Sequence, residues 1–328
     1  MVLRVVMTNT QSSLFGNTAN AVKLNAQKRR ISGGTQFYGV NDKTPEGILN
    51  EVETVHDRHN FYAMTSGGKD SITLTDWLAE LGKLKLVVHI DTGVGIKMTT
   101  DFVKDYCQEK GWPLQIIKPR FNRIFASFVL QYGFPGPGAH KFIMSFLKFQ
   151  TMREFAYTTD RKNHCLISGV RKFESSRRMS NFPEPISVDG NLWFAAPFFY
   201  RKDTEIYEDY IKKGLRKSPA YNHGLGTSGE CMCGSFATFD EKMLIKKLDP
   251  HLADYIEWLE DGVQRFGTDT AKKRPTWGGN PKMSELEDQK LINEFMSNNP
   301  ELDDIDKIEN FVCGQECGPG TLRGETDF

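Results

Sequence analysis

The sequence has no surplus of either charge: 42 Lys and Arg stand against 42 Asp and Glu in 328 residues. Bulk electrostatics therefore gives no argument for a polyanionic partner or for an anionic membrane surface. No apolar run is long enough to cross a bilayer. No internal repeat or low-complexity tract points to a solenoid or a linker protein. Cysteine is sparse, six residues in all, and no secretory signal is evident. A disulfide-stapled scaffold is thus not expected, and a reducing cytoplasm is. What the chain does have is length enough to bury one α/β core plus an appended lobe.

The hydrophobic pattern alternates between short apolar runs and helical periodicity. It predicts strands over 61–65, 84–90, 114–118 and 164–168. Between them it predicts helices over 71–82, 97–111, 121–131 and 141–159. Such alternation implies a parallel sheet with helices on both faces. Right-handed crossovers would then bring the loops at the strands' carboxyl ends to one edge. After residue 200 the pattern turns helical: 203–214, 239–248, 250–265, 285–297 and 301–310. Leu252, Tyr255, Ile256, Leu259 and Val263 form one apolar stripe that reads as core.

Three of those edge loops carry chemistry. The first is Ser66-Gly67-Gly68-Lys69-Asp70-Ser71, between a strand and a helix. Two glycines let backbone N–H groups curl around an anion, and the helix N-terminus behind them adds positive dipole. Lys69 and the hydroxyls of Ser66 and Ser71 add donors. A phosphate chain is the object best suited to that nest, although the spacing is not that of the Walker loop. The plain alternative is a turn with an N-cap. The second loop is Asp91-Thr92-Gly93, after a buried-looking strand. Asp91 there suits a magnesium ion or a nucleotide group, or else caps the next helix. The third is Ser168-Gly169-Val170-Arg171, followed by Glu174-Ser175 and Arg178. Its guanidinium groups suit bidentate contact with phosphate or sulfate; otherwise it is a solvated basic loop.

These segments together resemble the phosphoadenosine phosphosulfate (PAPS) reductase family within the adenine nucleotide alpha-hydrolase, or PP-loop, superfamily. Ala196-Pro197-Phe198, an acidic helix and Ser218-Pro219-Ala220-Tyr221-Asn222-His223-Gly224 extend the likeness over roughly 58–260. The resemblance implies an adenine nucleotide bound by Ser66, Gly67, Gly68, Ser71, Thr92, Gly93, Gly169, Glu174 and Arg178. Lys69, Asp70, Asp91 and Arg171 would carry the chemistry, with Mg2+ held by the acids. Family members that reduce adenylyl sulfates usually lack the loop lysine, whereas ATP-cleaving relatives keep it. Lys69 therefore favours ATP, cleaved at the α-phosphate to adenylate an acceptor, with sulfur from a persulfide or a cluster-bound sulfide then displacing AMP. The rival reading is an adenylyl sulfate or PAPS reductase with Cys317 as nucleophile. A third is a nucleotide-binding module of a larger complex.

Four of the cysteines form two close pairs, Cys231-Met232-Cys233 and Cys313 with Cys317. Brought together they suit Zn2+ or a [4Fe–4S] cluster; a redox pair is the other reading. Cys165 reads as core. The chain divides into an N-terminal extension (1–57), a nucleotide-binding α/β domain (58–200) and a mostly helical region with the cysteine pairs (201–328). A short helix is expected near 50–58, a lid at the Gly/Pro loop 133–140, and Lys148 on a helix surface where relatives often carry a lysine. Lys272-Lys273-Arg274 near Trp277 could stack a base; a solvated loop with one buried aromatic is the simpler expectation. A sulfur donor or reductant protein, a nucleic-acid acceptor and a homodimer are compatible partners, and a membrane is not expected.

Overall fold

Among the described residues seven strands form one sheet in the order β1 (Gln36–Tyr38), β6 (Ile186–Asp189), β7 (Leu192–Ala195), β5 (His164–Ile167), β2 (Asn60–Met64), β3 (Leu84–Ile90) and β4 (Leu114–Ile117). The computed structural model describes residues 35–120, 124–158, 163–172, 184–190, 192–237 and 239–278, with Ser297. The predicted strands are β2 (Asn60–Met64), β3 (Leu84–Ile90), β4 (Leu114–Ile117) and β5 (His164–Ile167). With β7 (Leu192–Ala195) they pair in parallel. β5 is buried at every residue, as a strand covered on both faces should be.

The sheet continues further than the sequence pattern predicts. β1 (Gln36–Tyr38) and β6 (Ile186–Asp189) add an antiparallel margin. Asp189 pairs with Leu192 across a two-residue connection in which Gly190 takes φ +60°. A left-handed glycine in so short a turn is what a tight hairpin requires. The fold is therefore a mostly parallel α/β sheet.

Helices cover both faces. On β3, Val87 packs with Val103 and Tyr106 of α3 (Lys97–Lys110). Its neighbours Val88 and Ile90 pack instead with Phe149 and Met152, as the two-residue alternation of a strand dictates. α2 (Lys69–Glu80) follows β2 directly. α1 (Pro45–Thr54) starts earlier than the expected 50–58 because Thr44 caps it, accepting from Gly47 N–H, and Pro45 opens its first turn.

The expected long helix 141–159 is three stretches. α5 (His140–Met144) runs into a π-helical turn (Ser145–Phe149) and then α6 (Gln150–Thr158). A wide turn adds a residue and rotates the downstream helix by about 100° relative to an unbroken one. Lys148, expected on a helix surface, is consequently buried.

A third apolar cluster joins α4 (Phe125–Tyr132) and the π-helical turn to α8 (Phe239–Leu248) and α9 (Pro250–Phe266). Leu252, Ile256, Leu259 and Val263 are buried in it, so the α9 stripe is core. Loop 133–140, the expected lid, is packed at its start, where Phe134 is fully buried and donates its N–H to Arg274 O at 2.9 Å, while Pro137 and Gly138 are exposed. Trp277 is buried too, its Nε1–H donating to Met232 O at 2.9 Å, and Arg274 is buried beside it. Among the described residues no helix is long and apolar enough to cross a membrane. The helices expected at 285–297 and 301–310 lie outside the described residues, Ser297 excepted.

Candidate functional site: a phosphate-type loop at the carboxyl edge of the sheet

β2 ends at Met64, and the chain turns through Thr65–Gly68 into α2. Gly67 takes φ +80°, a conformation that glycine adopts without strain. Gly68 is the N-cap and offers no side-chain cap, so the first amides of α2 are not claimed by one. Ser71 ties the turn internally: Ser66 N–H donates to its Oγ at 3.2 Å, and its own hydroxyl donates to Gly68 O at 3.0 Å. Segment 215–218 braces the turn from outside, Ser218 N–H donating to Gly67 O at 2.8 Å. Thr99 of α3 in turn shares a 2.8 Å hydrogen bond with the Ser218 hydroxyl.

The loop after β5 lies against the same turn. A Cβ on Gly169 would stand 3.2 Å from the Asp70 carbonyl carbon, so a side chain there would press on the first turn of α2. Arg171, its side chain 3% exposed, donates Nη2–H to Asp70 Oδ2 at 2.9 Å. It donates again from Nη2 to Asp203 Oδ1 at 2.7 Å. Lys69 Nζ reaches the same Asp203 Oδ1 at 2.7 Å and stands 3.6 Å from Asp70 Oδ1. Asp203, first residue of α7 (Asp203–Lys212), is the site residue that sequence reasoning missed. The acidic start of that helix was its only signal.

The second loop stands at the end of the neighbouring strand β3. Asp91 Oδ2 pairs with Lys118 at 2.9 Å, and Oδ1 accepts Gly93 N–H at 3.0 Å. Burial would raise this carboxyl, but the hydrogen bonds from Lys118 and Gly93 outweigh it and hold it below the usual carboxylate range. A depressed folded value stabilises the protein above about pH 4, the ordinary carboxylate range, and that stabilisation is lost as pH falls through the folded value. Between pH 7 and pH 3 the urea midpoint of the wild type should therefore fall more steeply than that of Asp91→Asn. Parallel slopes would remove the Asp91 ion pair from the account.

Thr92 donates its hydroxyl to Glu230 O at 3.1 Å. Ile96 N–H donates to Gly229 O at 2.7 Å and Met232 N–H to Val94 O at 2.8 Å. Residues 229–232 thus run alongside the second loop and bring Cys231, and Cys233 just after them, to its flank. Glu230 also pairs with Lys148 at 2.6 Å, their side chains 10% and 4% exposed.

Asp70 Oδ1 is buried without a hydrogen bond among the described residues, which leaves it as the carboxylate oxygen suited to Mg2+. Both oxygens of Asp91 are already committed. The thiols divide in the same way. Burial pushes Cys107 up to about 12 and Cys165 higher, so both are inert core. Cys233 is instead brought down to about 6 by its hydrogen bond with Cys231, against the effect of burial. A paired thiol of that kind suits a soft metal. No cluster of three or more metal-ligating side chains occurs among the described residues. Cys313 and Cys317, like Glu174 and Arg178, lie outside them.

A family model described as the phosphoadenosine phosphosulfate reductase domain matches residues 60–235. The chain belongs to that family. The PAPS reductase match spans all the loops described above. Two uncharacterized proteins of Methanocaldococcus jannaschii are related to it. One is 27% identical over 226 residues, covering 67% of this chain and 53% of that protein. The other is 25% identical over 251 residues, covering 70% and 50%. The chain thus spans about half the length of the curated relatives it matches. Among solved structures it is similar to a PAPS reductase from Candida auris in a phosphate complex, at TM-score 0.42 and 15% identity over 56% of this chain and 85% of that one. It is also similar to the FMN adenylyltransferase of Candida glabrata with ATP, at TM-score 0.42 and 14% identity over 82% and 84%.

Proposed function

We propose that this PAPS reductase-family protein is an ATP pyrophosphatase that adenylates an acceptor, coupled to sulfur transfer. The observation that carries the reading is Lys69. It opens α2 beside an N-terminus without a side-chain cap, with its side chain 20% exposed at the mouth of the glycine turn. A cation and free backbone donors placed together favour a polyphosphate.

In this reading the phosphates of ATP lie in the 66–71 turn. An acceptor oxygen attacks the α-phosphorus, the bond from that phosphorus to the α,β-bridging oxygen breaks, and pyrophosphate leaves. Lys69 and the first amides of α2 stabilise the charge that develops on the leaving group. Mg2+, held through Asp70, would neutralise phosphate charge. Asp91, paired to Lys118, orients the second loop, and Arg171 fixes Asp70 from below. A sulfur nucleophile then displaces AMP from the adenylated acceptor. Residues 58–200 are assigned to nucleotide binding, and Cys231 and Cys233, with Cys313 and Cys317, to a zinc or iron–sulfur site.

The test is anaerobic equilibrium binding of MgATP and of phosphoadenylyl sulfate, side by side. At least a tenfold preference for ATP, about 1.4 kcal/mol, is expected. Preference for phosphoadenylyl sulfate would overturn the reading and make Cys317 the nucleophile to examine.

A further inference from the structure

Two cations at the mouth of the glycine turn share one carboxylate oxygen. Asp203 Oδ1 lies 2.7 Å from Lys69 Nζ and 2.7 Å from Arg171 Nη2. The three residues differ in freedom. Arg171 is 3% exposed and is also held by Asp70 through Nε and Nη2, so it cannot shift without breaking those contacts. Lys69 is 20% exposed and has the Tyr207 ring 5.6 Å from its Nζ. Asp203 is 56% exposed, on the rim.

Its departure would not unwind α7. The N-terminus of that helix is capped by Lys202 N–H donating to Glu205 Oε2 at 2.7 Å, not by Asp203. Among the described residues the cluster therefore has one fixed cation (Arg171), one partly exposed cation (Lys69), one acid held by Arg171 (Asp70) and one acid on the rim that can turn into water. The four side chains sum to a formal charge of zero, and turning Asp203 out removes one negative charge from beside the two cations. Carboxylate and phosphate oxygens accept from the same donors at the same distances.

We propose that Asp203 is an internal counter-anion of the phosphate loop. It holds Lys69 and Arg171 as a phosphate oxygen would, and a ligand's phosphate displaces it, so that this exchange sets how tightly phosphate ligands bind and how readily they leave. The proposal rests on reading residues 66–71 as a phosphate loop. Asp203 touches no reacting atom and acts only through the two cations. Burial tends to raise its carboxyl, yet Lys69 and Arg171 hold it below the usual range, so it competes as an anion at neutral pH.

The experiment is calorimetric titration of inorganic pyrophosphate into the full chain at constant ionic strength. Asp203→Asn, with Asp203→Ser as a second variant, should bind pyrophosphate roughly three- to thirtyfold more tightly than wild type. Glu208→Gln removes the same charge from an exposed position of the same helix and should change affinity by no more than about twofold. A gain in affinity well beyond that of the Glu208 control is not what removal of a merely supporting residue would give. Equal or weaker binding by both Asp203 variants would overturn the proposal while leaving the phosphate loop standing. Loss of folding in both would mark Asp203 as structural and overturn it equally. Absence of pyrophosphate binding in wild type and variants alike would take down the phosphate-loop reading and this proposal with it.

Discussion

Lys69→Ala should lower pyrophosphate release by about 10²- to 10³-fold, the loss typical of removing one donor aimed at developing charge, about 3–4 kcal/mol. Stability should change little. Lys69 is a rim residue whose partner Asp203 is more than half exposed, and ion pairs of that kind contribute about 1 kcal/mol or less. Arg171 also keeps its contacts to Asp70 and Asp203. The two effects can be read on one sample, from pyrophosphate formed in a single turnover and from the urea midpoint. Turnover equal to wild type would remove Lys69 from the mechanism. A large fall in stability would mean that the turn, not the charge, had been damaged.

The second large effect concerns Lys148 and Glu230. Glu230→Gln takes the carboxylate away from an ammonium that is almost wholly enclosed. Breaking a buried pair from one side costs about 3–5 kcal/mol, because the remaining charge stays desolvated after losing this counter-charge. Lys148→Met should cost a similar amount from the other side. The double variant Lys148→Met/Glu230→Gln should lose much less than the sum of the two, since no buried charge is left behind. Urea unfolding of the four proteins completes the cycle. Additive losses, or single losses below about 1 kcal/mol, would show that the pair is not coupled.

The central strands were legible because strands buried on both faces are written as nearly continuous apolar runs, Leu86–Ile90, broken only by His89, being the clearest. Helices α2, α3, α8 and α9 were legible from their periodicity. The antiparallel margin was not: β1 has three residues and β6 and β7 four each, too few for alternation to show. Gly190-Asn191 was the available hint, since a two-residue Gly-Asn connection reads as a tight hairpin. Lys148 was misplaced because a 3.6-residue period cannot foresee a π-helical turn. The glycine turn and its lysine were plain in the sequence. Their surroundings were not, because Asp203 and Ser218 reach the turn from parts of the chain that local patterns do not connect; Lys69 and Asp203 are 134 positions apart. The family resemblance seen in the loops is borne out over residues 60–235.

The strap formed by residues 229–232 bears on biosynthesis. Thr92 meets Glu230 across 138 positions, so closing that contact must await most of the chain, and loop closure over such a span forms late. A nascent chain released as far as β5 would hold its glycine turn but neither the Ser218 brace nor the 229–232 strap. The edge that gathers the nucleotide loops is thus completed last, by the same segment that carries Cys231 and Cys233. The thiol pair is brought beside the second loop by the same long-range closure that completes this edge.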